Sequence, residues 1–173
     1  MLEENFNHDM ALYSDERMPL DILCRNQKEI KALFYALQQA EENIVKKHLA
    51  EDVMAKLLIH TLLEEEIFYP AISSEMISSD FMEAVMEMHH AIVMLLSEWV
   101  NMQPEDEHYM EKFKVLAEVV RHHFSAEEIE LFPKVSGLNI DFAALTEKME
   151  HRKEELESML FRTMQPFVKE WRH

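Results

Sequence analysis

Apolar residues recur along most of this chain with the period of an α-helix. From Pro19 onward, Leu20, Leu23, Ile30, Leu33, Phe34 and Leu37 share one face, the spacing of a helix that buries one side. They predict a first helix over residues 17–44. A second, over 48–70, lines Val53, Leu57, His60, Glu64 and Ile67 along one stripe, and Pro70 ends or kinks its last turn. Ser78-Ser79-Asp80 is suited to cap a third helix running to residue 101. Gln103-Pro104-Glu105-Asp106 reads as a turn and start signal for a fourth over 105–132, closed by Pro133 and Gly137. Asn139-Ile140-Asp141 opens a fifth over 141–165, with Pro166 as its stop. Residues 1–16 carry no strong period and read as a tail or short extra helix, and residues 166–173 as a C-terminal tail.

The pattern repeats within the chain. Shifting the first helix by 62 residues lays Leu23 on Val85, Gln27 on His89, Ile30 on Ile92, Leu33 on Leu95 and Phe34 on Leu96. The second helix matches the fourth at a shift of 63. The expected fold class is all-α: an up-down four-helix bundle of two helix hairpins related by a pseudo-twofold axis, with an additional C-terminal helix.

Composition narrows the function classes. At 173 residues the chain is long enough for one domain with a real core. A single Gly argues against a β-rich fold, whose tight hairpins need that residue. The 14 Met read as core filler rather than as sulfur ligands for copper. A net charge of -17 works against nucleic acid and anionic membrane surfaces as partners. One cysteine, Cys24, permits no internal disulfide and fits a reducing cytoplasm. Neither a basic nor an apolar run follows Met1, so no signal peptide is expected, and no stretch nears the ~20 apolar residues of a membrane span. Phe6, Leu12 and Tyr13 offer a contact for a homodimer.

The chemistry sits in the repeat. His60 to Pro70 reads His-Thr-Leu-Leu-Glu-Glu-Glu-Ile-Phe-Tyr-Pro, and His123 to Pro133 reads His-Phe-Ser-Ala-Glu-Glu-Ile-Glu-Leu-Phe-Pro. On a helix, residues four apart lie about 40° apart on one face. Two such helices face to face bring two imidazoles and two carboxylates to one point, a construction for a pair of transition-metal ions. A lone histidine on an apolar face is more often core than ligand, but the paired His60–Glu64 and His123–Glu127 favour ligation. Two buried glutamates without a cation would be costly. His90 and His122 point about 100° from their neighbours His89 and His123 and read as packing or outer-sphere residues. Glu65, Glu66 and Glu128 read as solvated or salt-bridged, and His48, His108, His151 and His173 as surface residues. Tyr69 and Phe132 are expected to seal the bundle end, and Cys24 to be a core thiol.

These residues resemble the hemerythrin-like, or HHE, cation-binding domain family over about residues 17–165. The resemblance rests on Pro19-Leu20-Asp21-Ile22-Leu23 with Ile30 to Phe34, on His60 to Pro70, on His89-His90 with Leu95-Leu96, on His122-His123, Glu127-Glu128 and Leu131-Phe132-Pro133, and on His151 to Leu156. It implies a non-haem di-iron centre bridged by Glu64 and Glu127, with His60, His89 and His123 as terminal ligands; zinc is an alternative occupant. This chain departs from the family pattern at Asn26-Gln27, where Asp-His is usual. Gln27 stands in the slot of a missing His ligand, and a neutral amide is the poorer donor, so three outcomes stay open: a weak second ion, a single ion, or another histidine such as His8 filling the gap. The side of His89 and His123 should bind the tighter ion.

The expected function is a metal-binding protein with a non-haem iron site that binds or senses O2, or handles iron or nitric oxide, and is not an enzyme. No output segment for a built-in sensor is visible, which leaves a store or scavenger open. Two alternatives stand beside it. One is a di-iron oxidase or peroxidase, disfavoured because such bundles use more carboxylates. The other is a metal-depleted or zinc-binding bundle acting as a structural or partner-binding protein, for which Asn26-Gln27 is the sole support.

Overall fold

Each predicted helix pair is closed by a short connection that turns the chain back on itself. The computed structural model describes residues 19–76 and 79–169, and every regular element among them is helical. Helix α1 spans Pro19–Gln39, α2 Asn43–Leu63, α3 Tyr69–Met76, α4 Ser79–Val100, α5 Tyr109–Ala126, α6 Phe132–Val135 and α7 Phe142–Lys169. One turn of π-helix, Glu64–Phe68, joins α2 to α3, and another, Glu127–Leu131, joins α5 to α6. The two hairpins are α1 packed on α2 and α4 packed on α5, and α7 lies across α1 and α2. Residues 1–16 and His173, with the contacts expected of Phe6, His8, Leu12 and Tyr13, lie outside the described residues.

Several boundaries differ from the sequence expectation, each for a local reason. The first turn comes at residues 40–42, earlier than expected, where Glu42 adopts an extended backbone. Helix α5 starts at Tyr109 rather than at residue 105, because Asp106 holds the chain in turns. Its side chain accepts the Gln103 backbone N–H at 2.8 Å, and its carbonyl accepts that of Tyr109 at 3.0 Å. Asp141 caps α7 as expected, accepting the Ala144 N–H at 3.0 Å. Pro166 does not stop α7, which runs on to Lys169. So close to the helix end, a proline removes one hydrogen bond while its fixed φ remains helical.

The core has two apolar clusters. One holds Leu20, Leu23, Ile59, Leu63, Phe68, Val85, Leu131 and Phe132, and α7 adds Leu145, Met149 and Leu156 to it. The other holds Ile30, Phe34, Leu57, Ile92, Leu96, Trp99, Phe113, Val120 and Phe124. On the four helices of the two hairpins the buried polar residues fall where one cluster gives way to the other: Asn26 and Gln27 on α1, His60 and Thr61 on α2, His89 on α4 and His123 on α5. Glu64 and Glu127, at the heads of the two π turns, complete the layer.

Candidate metal centre

The repeated motif meets in this layer. His60 near the end of α2 and Glu64 at the head of the π turn that follows are four residues apart on one face, as are His123 of α5 and Glu127. Ligating atoms from these four residues lie within 4.8 Å of one another. His60 Nε2 is 2.9 Å from Glu64 Oε1, but the pair is not aligned for a hydrogen bond, and neither atom has another hydrogen-bond partner. His89 Nε2 and His123 Nε2 approach Glu64 Oε2 at 3.2 and 3.4 Å and each other at 3.0 Å. Three imidazole nitrogens therefore surround one carboxylate. Glu127 Oε2 is 3.6 Å from His123 Nε2.

Glu127 has other partners. Tyr69 donates its hydroxyl to Oε1 at 2.5 Å, and Gln27 donates Nε2 to Oε2 at 2.8 Å. The expectation that Tyr69 only seals the bundle end is thus corrected: its ring is buried, but its hydroxyl reaches the polar layer. The cause is the π turn. Its hydrogen bond closes over five residues, from the Tyr69 N–H back to the Glu64 carbonyl, which brings residue 69 back over residue 64. The second π turn does the same to Phe132, bonded to the Glu127 carbonyl, but a phenyl ring has no donor. Pro70 and Pro133 follow directly. A proline ring crowds the carbonyl four residues back and forms no N–H bond, so the helix widens before it and then continues instead of ending. The closing proline in both copies was the sequence signal for these turns.

Outer residues divide unevenly. Glu65 Oε1 lies 2.7 Å from His89 Nδ1, a carboxylate–histidine contact of the kind that orients a metal-bound imidazole. Glu66 accepts from Arg152 on α7, and Glu128 from Lys31 at 2.8 Å, so both are salt-bridged as expected. His90 and His122 are exposed, correcting their reading as packing or outer-sphere residues; one helix step after His89 and one before His123 carries them out to solvent. His48, His108 and His151 are also exposed. Cys24 packs against the first cluster, and burial, with Glu128 and Asp21 nearby, pushes its thiol up to about 11.

The two carboxylates experience opposite fields. Burial opposes ionisation of Glu64, but His60, His123 and His89 overcome it and hold Glu64 well below the usual carboxylate range. Burial and the adjacent Glu64 push Glu127 well above that range, against the donations from Tyr69 and Gln27. Burial works against a charged His89, yet Glu64 and Glu65 raise it; in His123 burial prevails and lowers it. Burial, with Glu64 and Glu127, also pushes the Tyr69 phenol far up, so that it stays a donor.

The family model of the hemerythrin HHE cation binding domain matches residues 18–135. Uncharacterized proteins of Mycobacterium tuberculosis and Mycobacterium bovis are 26% identical to this chain over 140 residues, 79% of this chain and 85% of each relative. The crystal structure of a hemerythrin HHE cation binding domain-containing protein from Mycobacterium kansasii superposes with a TM-score of 0.74 at 21% identity, covering 86% of this chain and 92% of that one. That likeness speaks to the fold alone; the family model, spanning well over half the sequence, speaks to descent. This chain belongs to the hemerythrin HHE cation-binding domain family.

Proposed function

We propose that this protein binds non-haem iron in the polar layer formed by His60, Glu64, His89, His123 and Glu127, and uses it to bind O2 or another small diatomic ligand. One observation carries the reading: a His–Glu cluster sealed between two apolar cores, whose His60 Nε2 and Glu64 Oε1 lack hydrogen-bond partners. Unpaired polar atoms at such depth are costly, and a cation satisfies them together. Mixed imidazole and carboxylate donors suit iron, with zinc the next occupant by chemistry.

Iron, when bound, supplies an open coordination position and an accessible change of oxidation state. The chain's own residues do the rest. Glu64 brings a carboxylate already held ionised by its imidazole neighbours. Glu65 fixes the His89 ring, leaving Nε2 turned to the centre. Phe124, stacked edge-on against His60 at 5.1 Å, and the clusters on either side exclude water. With two carboxylates in the layer and a tyrosine held protonated, the site supports reversible binding over substrate oxidation.

The test is metal content by plasma mass spectrometry, on protein purified without added metal or nickel resin, with optical spectra before and after air. Bound iron and an oxygen-dependent charge-transfer band are expected. Iron-free protein after reconstitution, or bound metal without any response to O2 or nitric oxide, would overturn the reading.

A further inference from the structure

We propose that Tyr69 and Gln27 are positioning residues that restrict this centre to a single ion, held by His60, Glu64, His89 and His123, with Glu127 kept as a hydrogen-bonded counter-charge. The inference rests on the metal-binding reading above and goes beyond it to stoichiometry.

A second ion would need Glu127 as its principal ligand. Both oxygens of that fully buried carboxylate are already engaged by neutral donors, Tyr69 at 2.5 Å and Gln27 at 2.8 Å. A second ion would have to share each oxygen with one of these donors, which draws lone-pair density away from the metal and makes Glu127 the weaker ligand. The slot that should supply its terminal ligand holds Gln27, which points its NH2 group at the carboxylate and so presents hydrogens where an ion needs a lone pair. Its Oε1 is buried without a partner.

Outer contacts agree. Glu65 orients His89. Glu128 holds the matching place beside position 27, but glutamine has no ring N–H to offer, and Glu128 pairs with Lys31 one turn along α1. Formal charge agrees too, counted with both carboxyls ionised as ligation would require. One divalent ion neutralises Glu64 and Glu127, whereas two would leave a net +2 in a layer sealed from water, which is costly without a further anion.

Phe132 stands where Tyr69 does in the other half and has no hydroxyl to donate. His60, His89 and His123 approach the Glu64 carboxylate at 2.9, 3.2 and 3.4 Å, so imidazoles are its nearest partners.

The experiment is an anaerobic titration with Co(II), following the visible band and counting bound metal after desalting, on wild type, Gln27→His, Tyr69→Phe and Gln27→His/Tyr69→Phe. Wild type should bind one Co(II) per chain, and the double variant two. Tyr69→Phe alone should stay at one, since it adds no ligand. Two Co(II) in wild type would overturn the proposal whatever the variants do, which keeps it decidable if a variant fails to fold. A folded double variant that still binds one would overturn the positioning role. Failure of wild type to bind Co(II), Fe(II) or Zn(II) at all would instead remove the metal-binding reading on which this one stands.

Discussion

Gln27 and His89 occupy matching places on α1 and α4, and Tyr69 and Phe132 match beyond the two π turns. So do Glu65 and Glu128, and Glu66 and Ile129. In the second hairpin these places hold a ligand-type imidazole, an apolar ring and an exposed isoleucine. In the first they hold an amide, a phenol and the carboxylate that anchors α7. One backbone, used twice, thus carries different groups at matching places: the amide and the phenol of the first hairpin give hydrogens to Glu127, where the second hairpin has an imidazole and a phenyl ring. A pseudo-symmetric scaffold places side chains equally but does not oblige them to act alike.

The sharpest way to break this comparison is to neutralise the two carboxylates one at a time. Glu64→Gln should abolish measurable Co(II) binding, because the three imidazoles lose their shared anion. Glu127→Gln should keep one ion per chain. Equal losses in the two variants would show that the two carboxylates contribute alike.

Metal removal comes next. With free metal at about a hundred times its dissociation constant, binding adds about 2.7 kcal/mol, and a chain of this size shifts its Tm by about 2–4 °C per kcal/mol. Chelation should therefore lower the Tm by roughly 5–11 °C in differential scanning calorimetry, and hydrogen exchange should quicken more around His89 than around Gln27. An unchanged Tm would separate the metal from the stability of the fold.

The outer glutamates give a smaller contrast. Glu65→Gln should weaken metal binding about 10–100-fold, the range for loss of a partner that orients a metal-bound histidine. Glu128→Gln breaks only a partly exposed ion pair with Lys31 and should leave the affinity within error, as competition against a metallochromic dye would show.

Smallest is the tie between Glu66 and Arg152. The Arg152 guanidinium holds Glu66 below its ordinary value. A carboxylate with a depressed folded-state pKa contributes stability above its unfolded pKa and loses it as pH falls through the folded one. Arg152→Ala should therefore lower stability slightly at pH 7, and urea unfolding should show the difference from wild type closing as the solution is acidified through the carboxylate range. Salt should also shrink it.

Much of this was legible beforehand. The helical period set the five long segments, because a 3.6-residue repeat has one consistent reading over twenty residues. The doubled His-x-x-x-Glu motif marked which polar residues the layer would hold, since spacing within a single helix is local geometry. The misplaced boundaries at residues 40–42 and at Tyr109 were governed by one extended glutamate and one aspartate turn, signals weaker than the apolar stripe around them.

By itself, then, the sequence determined the all-helical class, the internal repeat and the candidate ligands His60, Glu64, His89, His123 and Glu127, all of which depend on offsets along a helix. Only the tertiary structure decided what faces what. Tyr69 reaches Glu127 across 58 positions and Gln27 across 100, distances over which no periodicity carries information. A wide π turn had to rotate the phenol inward, and two hairpins had to pack, before a hydroxyl and an amide could meet the same carboxylate.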